Sequence, residues 1–175
     1  LPVELFAVLL WLRGRTLWGF ALLGIAAWLH APSAAVLAAA MGLVELFEGG
    51  LVRGLRGPLV ALGLSVPVVL PWILGGASTQ VTADPAWAAV LEARMSHHLD
   101  ASTWGARIWL GQGAWLLAGL GAWFLRRHQR AGQLGIALMA VGVLGGGLLG
   151  GVLHLAIALQ LEAWQAFRFV TIGCA

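Results

Sequence analysis

Long apolar runs broken by short polar stretches set the reading of this chain. The run from Leu1 to Leu12 is too short to cross about 30 Å of hydrocarbon, which takes roughly 20 residues, so it reads as the tail of a helix that begins upstream. A second run, 16–31, predicts a helix ending at Pro32. Pro32 and Ser33 then make a tight turn, with Ser33 as N-cap for a returning helix over 34–47. That helix closes at Glu48-Gly49-Gly50, where glycine supplies the positive φ of a helix end.

A further run, 58–77, contains Pro67 and Pro71, which remove two backbone donors and predict a kink. Residues 76–103 are the longest polar segment. Within it, Asp84-Pro85 predicts a helix start, followed by Trp87, Val90, Leu91 and Met95 on one face of a short amphipathic helix. Runs 104–125 and 132–160 complete the pattern, and a last one from Ala163 is still apolar at Ala175. The expected fold is all-α: a polytopic transmembrane helical bundle of about five full spans plus two truncated ones. Residues 1–175 then form a single transmembrane region, a fragment of a larger chain, with 76–103 as its one outer loop.

Charge orients this arrangement. Of the ten basic residues, all arginine, seven fall in three clusters between apolar runs: Arg13/Arg15, Arg53/Arg56 and Arg126/Arg127/Arg130. Short arginine-rich loops stay cytoplasmic during insertion. The expected location is therefore the bacterial cytoplasmic (inner) membrane, multi-pass, with loop 76–103 extracytoplasmic. Composition agrees, with 61% hydrophobic and 10% charged residues and a mean hydropathy of +0.91. The net charge of +3 is spent on topology, and no basic, aromatic-flanked soluble face points to nucleic acid. A single cysteine, Cys174, excludes an internal disulfide and a cysteine-based metal or redox motif.

Candidate chemistry gathers in the outer loop and at two isolated histidines. Arg94, His97, His98 and Asp100 form its densest polar group and would suit a lipid phosphate or another anionic headgroup. A metal site is not read there, because adjacent side chains on a helix diverge and no third strong ligand stands at a fixed spacing. The bland alternative is an interfacial loop whose histidines bond to backbone or headgroups. His154 follows Gly145, Gly146, Gly147, Gly150 and Gly151, and His30 follows Ala26 and Ala27. Small residues one turn before an imidazole leave room for haem or a chlorophyll-type macrocycle on its ring. Alanine and glycine are so frequent that close helix packing explains both equally well. Which cofactor, if any, is bound stays unknown at this level.

Ionisable residues inside spans default to function. Glu4 and Glu45 stand out, although Glu45 and Glu48 near an inner helix end suit pairing with Arg53 and Arg56 better than a proton relay. Tryptophans at predicted span ends, Trp72, Trp104, Trp123 and Trp164, suit interfacial anchoring. No phosphate loop, dinucleotide fingerprint, nucleophile elbow or kinase signature occurs.

Three segments carry a family resemblance: Leu29-His30-Ala31-Pro32; Arg94 to Trp104, with His97-His98 at its centre; and Gln160 with Trp164-Gln165-Ala166-Phe167-Arg168. They resemble the later part of an uncharacterised family of bacterial polytopic membrane proteins, similar in layout to the GT-C glycosyltransferases that use lipid-linked sugars. In that family a proline usually precedes the double histidine, where this chain has Ser96. The resemblance implies missing N-terminal spans and a lipid-linked substrate. It supplies no catalytic residue, because the GT-C acid lies in a first outer loop outside this sequence. The different-class expectation is an accessory or structural subunit among other membrane subunits, associated with pigment or haem. A transporter ranks last, since Pro67/Pro71 gives one broken helix without a matching partner. On every reading the lipid bilayer is the common partner, and His30, His154 and the Arg94/His97/His98/Asp100 group fall on one outer face.

Overall fold

In a computed structural model the described residues are 2–74, 84–86, 89–90, 129–145 and seven further positions between 106 and 125. Every regular element among them is helical: α1 (Pro2–Leu12), α2 (Thr16–Leu74) and α3 (Arg130–Val141). Among the described residues one segment, Thr16–Pro71 in α2, is long and apolar enough to cross a membrane. This corrects the expectation of a polytopic bundle of about five full spans plus two truncated ones. The runs read as separate helices over 16–31, 34–47 and, as far as Leu74, 58–77 belong to one 59-residue element broken at two points. The described lengths of α1 and α3, 11 and 12 residues, fall short of a span.

α2 is nonetheless not straight. Backbone angles leave the helical region at His30 (φ −155°, ψ 87°) and Gly50 (φ 76°, ψ −174°), dividing it into limbs 16–29, 31–49 and 51–74. At 1.5 Å per residue these are about 21, 28 and 36 Å long. The limbs pack side by side through glycine. A β-carbon on Gly24 of the first limb would stand 2.6 Å from the Ala61 carbonyl oxygen of the third, and one on Gly42 of the second would stand 2.7 Å from the Pro58 ring. Trp28 Nε1 donates to the Leu64 carbonyl (2.9 Å), tying the first limb to the third.

The local reasons for these turns are visible. α1 ends in a Schellman arrangement: Arg15 N–H donates to the Leu10 carbonyl (3.0 Å) and Gly14 N–H to the Trp11 carbonyl (2.9 Å), with Gly14 at φ 79°. Gly50 lies in a region of backbone space that is essentially glycine-only. At the other break, His30 rather than Ser33 acts as N-cap. His30 has extended angles, and its Nδ1 lies 3.3 Å from the N–H of Ser33 three residues on. Pro32 then sits in the first turn, where a missing N–H costs nothing. Pro58, Pro67 and Pro71 lie inside the third limb without a non-helical residue beside them. Arg53 and Arg56 are therefore helical, not in a loop. In the polar segment, Asp84 Oδ1 accepts from Ala86 N–H (2.7 Å), the cap expected of Asp84-Pro85.

The core is built from Trp11 and Ala7 of α1, Phe20, Leu23, Leu37 and Met41 of α2, and Leu134, Ala137 and Leu138 of α3. Four polar or charged residues are buried with them among the described residues: Glu4, Ser33, Glu45 and Ser65. Large apolar side chains face outward instead, including Phe47, Val52, Leu29 and Trp18.

Candidate functional site

Two polar clusters lie at opposite ends of the packed limbs. The larger is centred on Glu45, which is fully buried near the end of the second limb. A buried carboxylate is costly unless its lone pairs are filled, and here they are. Oε1 accepts from Trp11 Nε1 (2.8 Å), Thr16 Oγ1 (3.3 Å) and Arg130 NH2. Oε2 accepts from Arg53 Nε at 2.5 Å.

Glu48, one helical turn on, shares both cations. Arg130 reaches it through Nε (3.2 Å) and NH2 (2.8 Å), and Arg53 through NH2 (3.2 Å). Arg130 also donates from NH1 to the Trp11 carbonyl (3.2 Å) and lies 4.7 Å above the Trp11 ring, a cation–π distance. Burial works against the Arg130 charge, but the hydrogen bond to Glu48 and the charges of Glu45 and Glu48 outweigh it and raise its pKa above the ordinary arginine value. Two carboxylates and two guanidiniums make the cluster neutral. It joins the end of α1, both ends of the second break in α2 and the start of α3.

Chemically this is a clasp. Its donors and acceptors are spent on one another, and Arg130 is held by Glu48 across 82 positions of sequence. The expected pairing of Glu45 and Glu48 with arginine is found, with Arg53 and Arg130 as the partners, while Arg56 is exposed. Sequence reasoning read Arg130 as a cytoplasmic loop marker and overlooked its inward role. It also overlooked Trp11, whose indole is buried rather than anchored at a surface. The available signal was Glu45 itself, a carboxylate inside an apolar run that had to find a cation.

The smaller cluster sits at the first break. Ser33 Oγ donates to Glu4 Oε1 of α1 and lies 2.7 Å from His30 Nδ1. Glu4 and Ser33 are buried, whereas His30 is exposed. Of the residues singled out in the sequence, His30 is thus placed, with Nδ1 engaged. Arg94, His97, His98, Asp100 and His154 lie outside the described residues, as do the second and third segments that carry the family resemblance. No group of three or more potential metal ligands occurs among the described residues.

Comparison with known proteins returns no matching family, no matching curated protein and no matching solved structure. The arrangement of these two clusters on a helix able to cross a membrane is what characterises the chain.

Proposed function

We propose that the chain is an integral membrane protein of the structural or accessory kind, with α2 lying in the bilayer as limbs that cross the same layer more than once. The observation that carries this reading is the number of large apolar side chains that face outward from α2. Gly24 and Gly42 let the limbs approach closely, while Phe47 (86% exposed), Val52 (83%) and Leu29 (78%) face outward. Such a surface is unfavourable in water and ordinary in lipid, where small residues let backbones approach. The second limb, about 28 Å long, matches the hydrocarbon thickness; the first is shorter and needs local thinning of the bilayer.

The clasp supports the accessory assignment. Its charges hold helices together and leave Glu45 no access to a substrate. Arg13, Arg15, Arg53, Arg56 and Arg130 mark the clasp end as cytoplasmic by the positive-inside bias, and the His30 end then faces the other side of the inner membrane.

Sidedness is testable with single cysteines in a Cys174→Ser background. Leu29→Cys should react with a membrane-impermeant maleimide in intact spheroplasts, and Val52→Cys only after permeabilisation. Reaction of both before permeabilisation would overturn the crossing, and recovery of the protein in the soluble fraction without detergent would overturn membrane residence altogether.

A further inference from the structure

The clasp is neutral, yet its end of the molecule is not. Glu45 and Glu48 balance Arg53 and Arg130 there, while Arg13, Arg15 and Arg56 are exposed and bonded to no acid among the described residues. Arg56 differs from the other two because of where its helix puts it. It follows Arg53 by three residues on the third limb, so the two side chains are neighbours on the helix surface, a turn apart. Arg53 is held through Nε to Glu45 and through NH2 to Glu48 (3.2 Å). Those bonds fix the direction of its guanidinium and leave NH1 without a bond on a side chain that is 48% exposed. A positioned donor thus stands beside a free cation. Like charges a turn apart repel unless an anion joins them.

Depth indicates which anion fits. A β-carbon on Gly57 would run into the Phe20 ring and one on Gly24 into the Ala61 carbonyl, and Trp28 bonds to Leu64. These contacts climb together, so the first and third limbs run parallel. At 1.5 Å per residue, Arg56 then stands within about 2 Å of the depth of Trp18. Trp18 is an exposed indole of the kind that marks the headgroup level of a bilayer. Farther along the same limbs Leu59, Leu62 and Ile25 are exposed. Cations at the headgroup level above an apolar wall suit a phosphate that carries acyl chains, whereas a soluble anion would leave the wall without a role.

We propose that Arg53 and Arg56 bind the headgroup phosphate of an anionic phospholipid on the cytoplasmic side, with Arg53 NH1 and the Arg56 guanidinium donating to its non-ester oxygens. Guanidinium suits this task because its planar fork matches the spacing of phosphate oxygens. The phosphodiester brings one negative charge, which balances Arg56 and leaves the clasp neutral. The lipid therefore adds to the clasp without displacing Glu45 or Glu48 from Arg53. This contact rests on the membrane residence proposed above.

Native mass spectrometry of the whole chain released from mixed micelles counts the bound lipid directly. Phosphatidylglycerol should bind saturably and at least about tenfold more tightly than phosphatidylcholine, and an equal concentration of inorganic phosphate should not displace it. Arg56→Gln changes an exposed side chain without bonds and should weaken phosphatidylglycerol binding at least about tenfold, the loss of a charge-assisted hydrogen bond. Arg15→Gln removes the same charge from the same end and should cost less than about threefold in physiological salt, which screens exposed charges. Adding Leu51→Arg to Arg56→Gln returns the net charge on a different face of the limb and should not return the affinity. The proposal is overturned by a smaller loss in Arg56→Gln, by a larger one in Arg15→Gln, by recovery with Leu51→Arg, by displacement with inorganic phosphate, or by equal binding of phosphatidylcholine. Recovery of the chain in the soluble fraction overturns membrane residence instead, so the two failures are told apart.

Discussion

Glu45 and Glu48 are the same residue type one turn apart, held by the same two arginines, and their environments set different consequences for losing the charge. Glu45 is fully buried, and removing its charge leaves Arg130, whose side chain is 21% exposed, partly desolvated against a neutral amide. Breaking a buried pair by removing one partner costs about 3–5 kcal/mol. Arg53 is half in solvent and recovers hydration, so Glu45→Gln is expected to cost about 2–3 kcal/mol. Glu48→Gln acts on a carboxylate that remains partly hydrated and should cost about 0.5–1 kcal/mol. Denaturant titration of the purified chain in mixed micelles reads both, and equal losses would show that burial does not govern the clasp. The pairing of these acids with arginine was legible in the sequence, because an acid in an apolar run needs a cation within reach. Which arginine was not, since Arg130 arrives from a distant part of the chain and only the folded contact selects it.

At the scale of elements, the two breaks in α2 were read from sequence with unequal success, and the difference is physical. Gly50 was legible as a break because its conformation demands a missing β-carbon. The first break was placed at Pro32-Ser33, yet the departure from helical angles falls at His30, two residues before the proline. Proline announces that a helix cannot continue through it from the N-terminal side, but it tolerates a first turn, so it marks the start of the returning limb. The imidazole that caps that limb is not among the usual cap residues, which is why it was passed over. Pro67 and Pro71 were read as a kink within a continuing helix, and the third limb is helical through both. Two glycines in α2 give a matched test. Gly50→Ala forces a β-carbon into a glycine-only region and should destabilise the chain by about 1–3 kcal/mol. Gly63→Ala, in open space within the third limb, should stabilise it by roughly 0.5–1 kcal/mol through helix propensity. Thermal unfolding followed by helical circular dichroism separates them, and a shared sign would remove Gly50 as the cause of the second break.

For the whole molecule, arginine clusters that look like independent loop markers converge on one end. Arg53 and Arg130, from two of the three clusters, share Glu45 and Glu48, and the first cluster follows directly on Trp11, which bonds to the same Glu45. Alternation of charge along the sequence predicts a shared side for such clusters, because insertion acts on each short loop in turn. It does not anticipate how many crossings the apolar runs make, because run length alone does not distinguish separate spans from limbs of one broken helix. Arg130 is the element of this end with the longest reach. It binds Glu45, Glu48 and the last turn of α1 at once, so α3 should be fixed to α1 and α2 through it as much as through Leu134, Ala137 and Leu138. Arg130→Gln removes the charge and keeps an amide donor, whereas Glu48→Gln removes one of its two acids. If the clasp is a single unit, the double variant should lose less than the sum of the singles, with a coupling of about 1 kcal/mol between residues far apart in sequence. Hydrogen exchange would report the same coupling locally: the amides of 131–138 should lose protection in Arg130→Gln while those of 31–44 keep theirs. Additive losses, or equal deprotection of both segments, would mean that α3 is held by its apolar face and that the arginine only neutralises a buried acid.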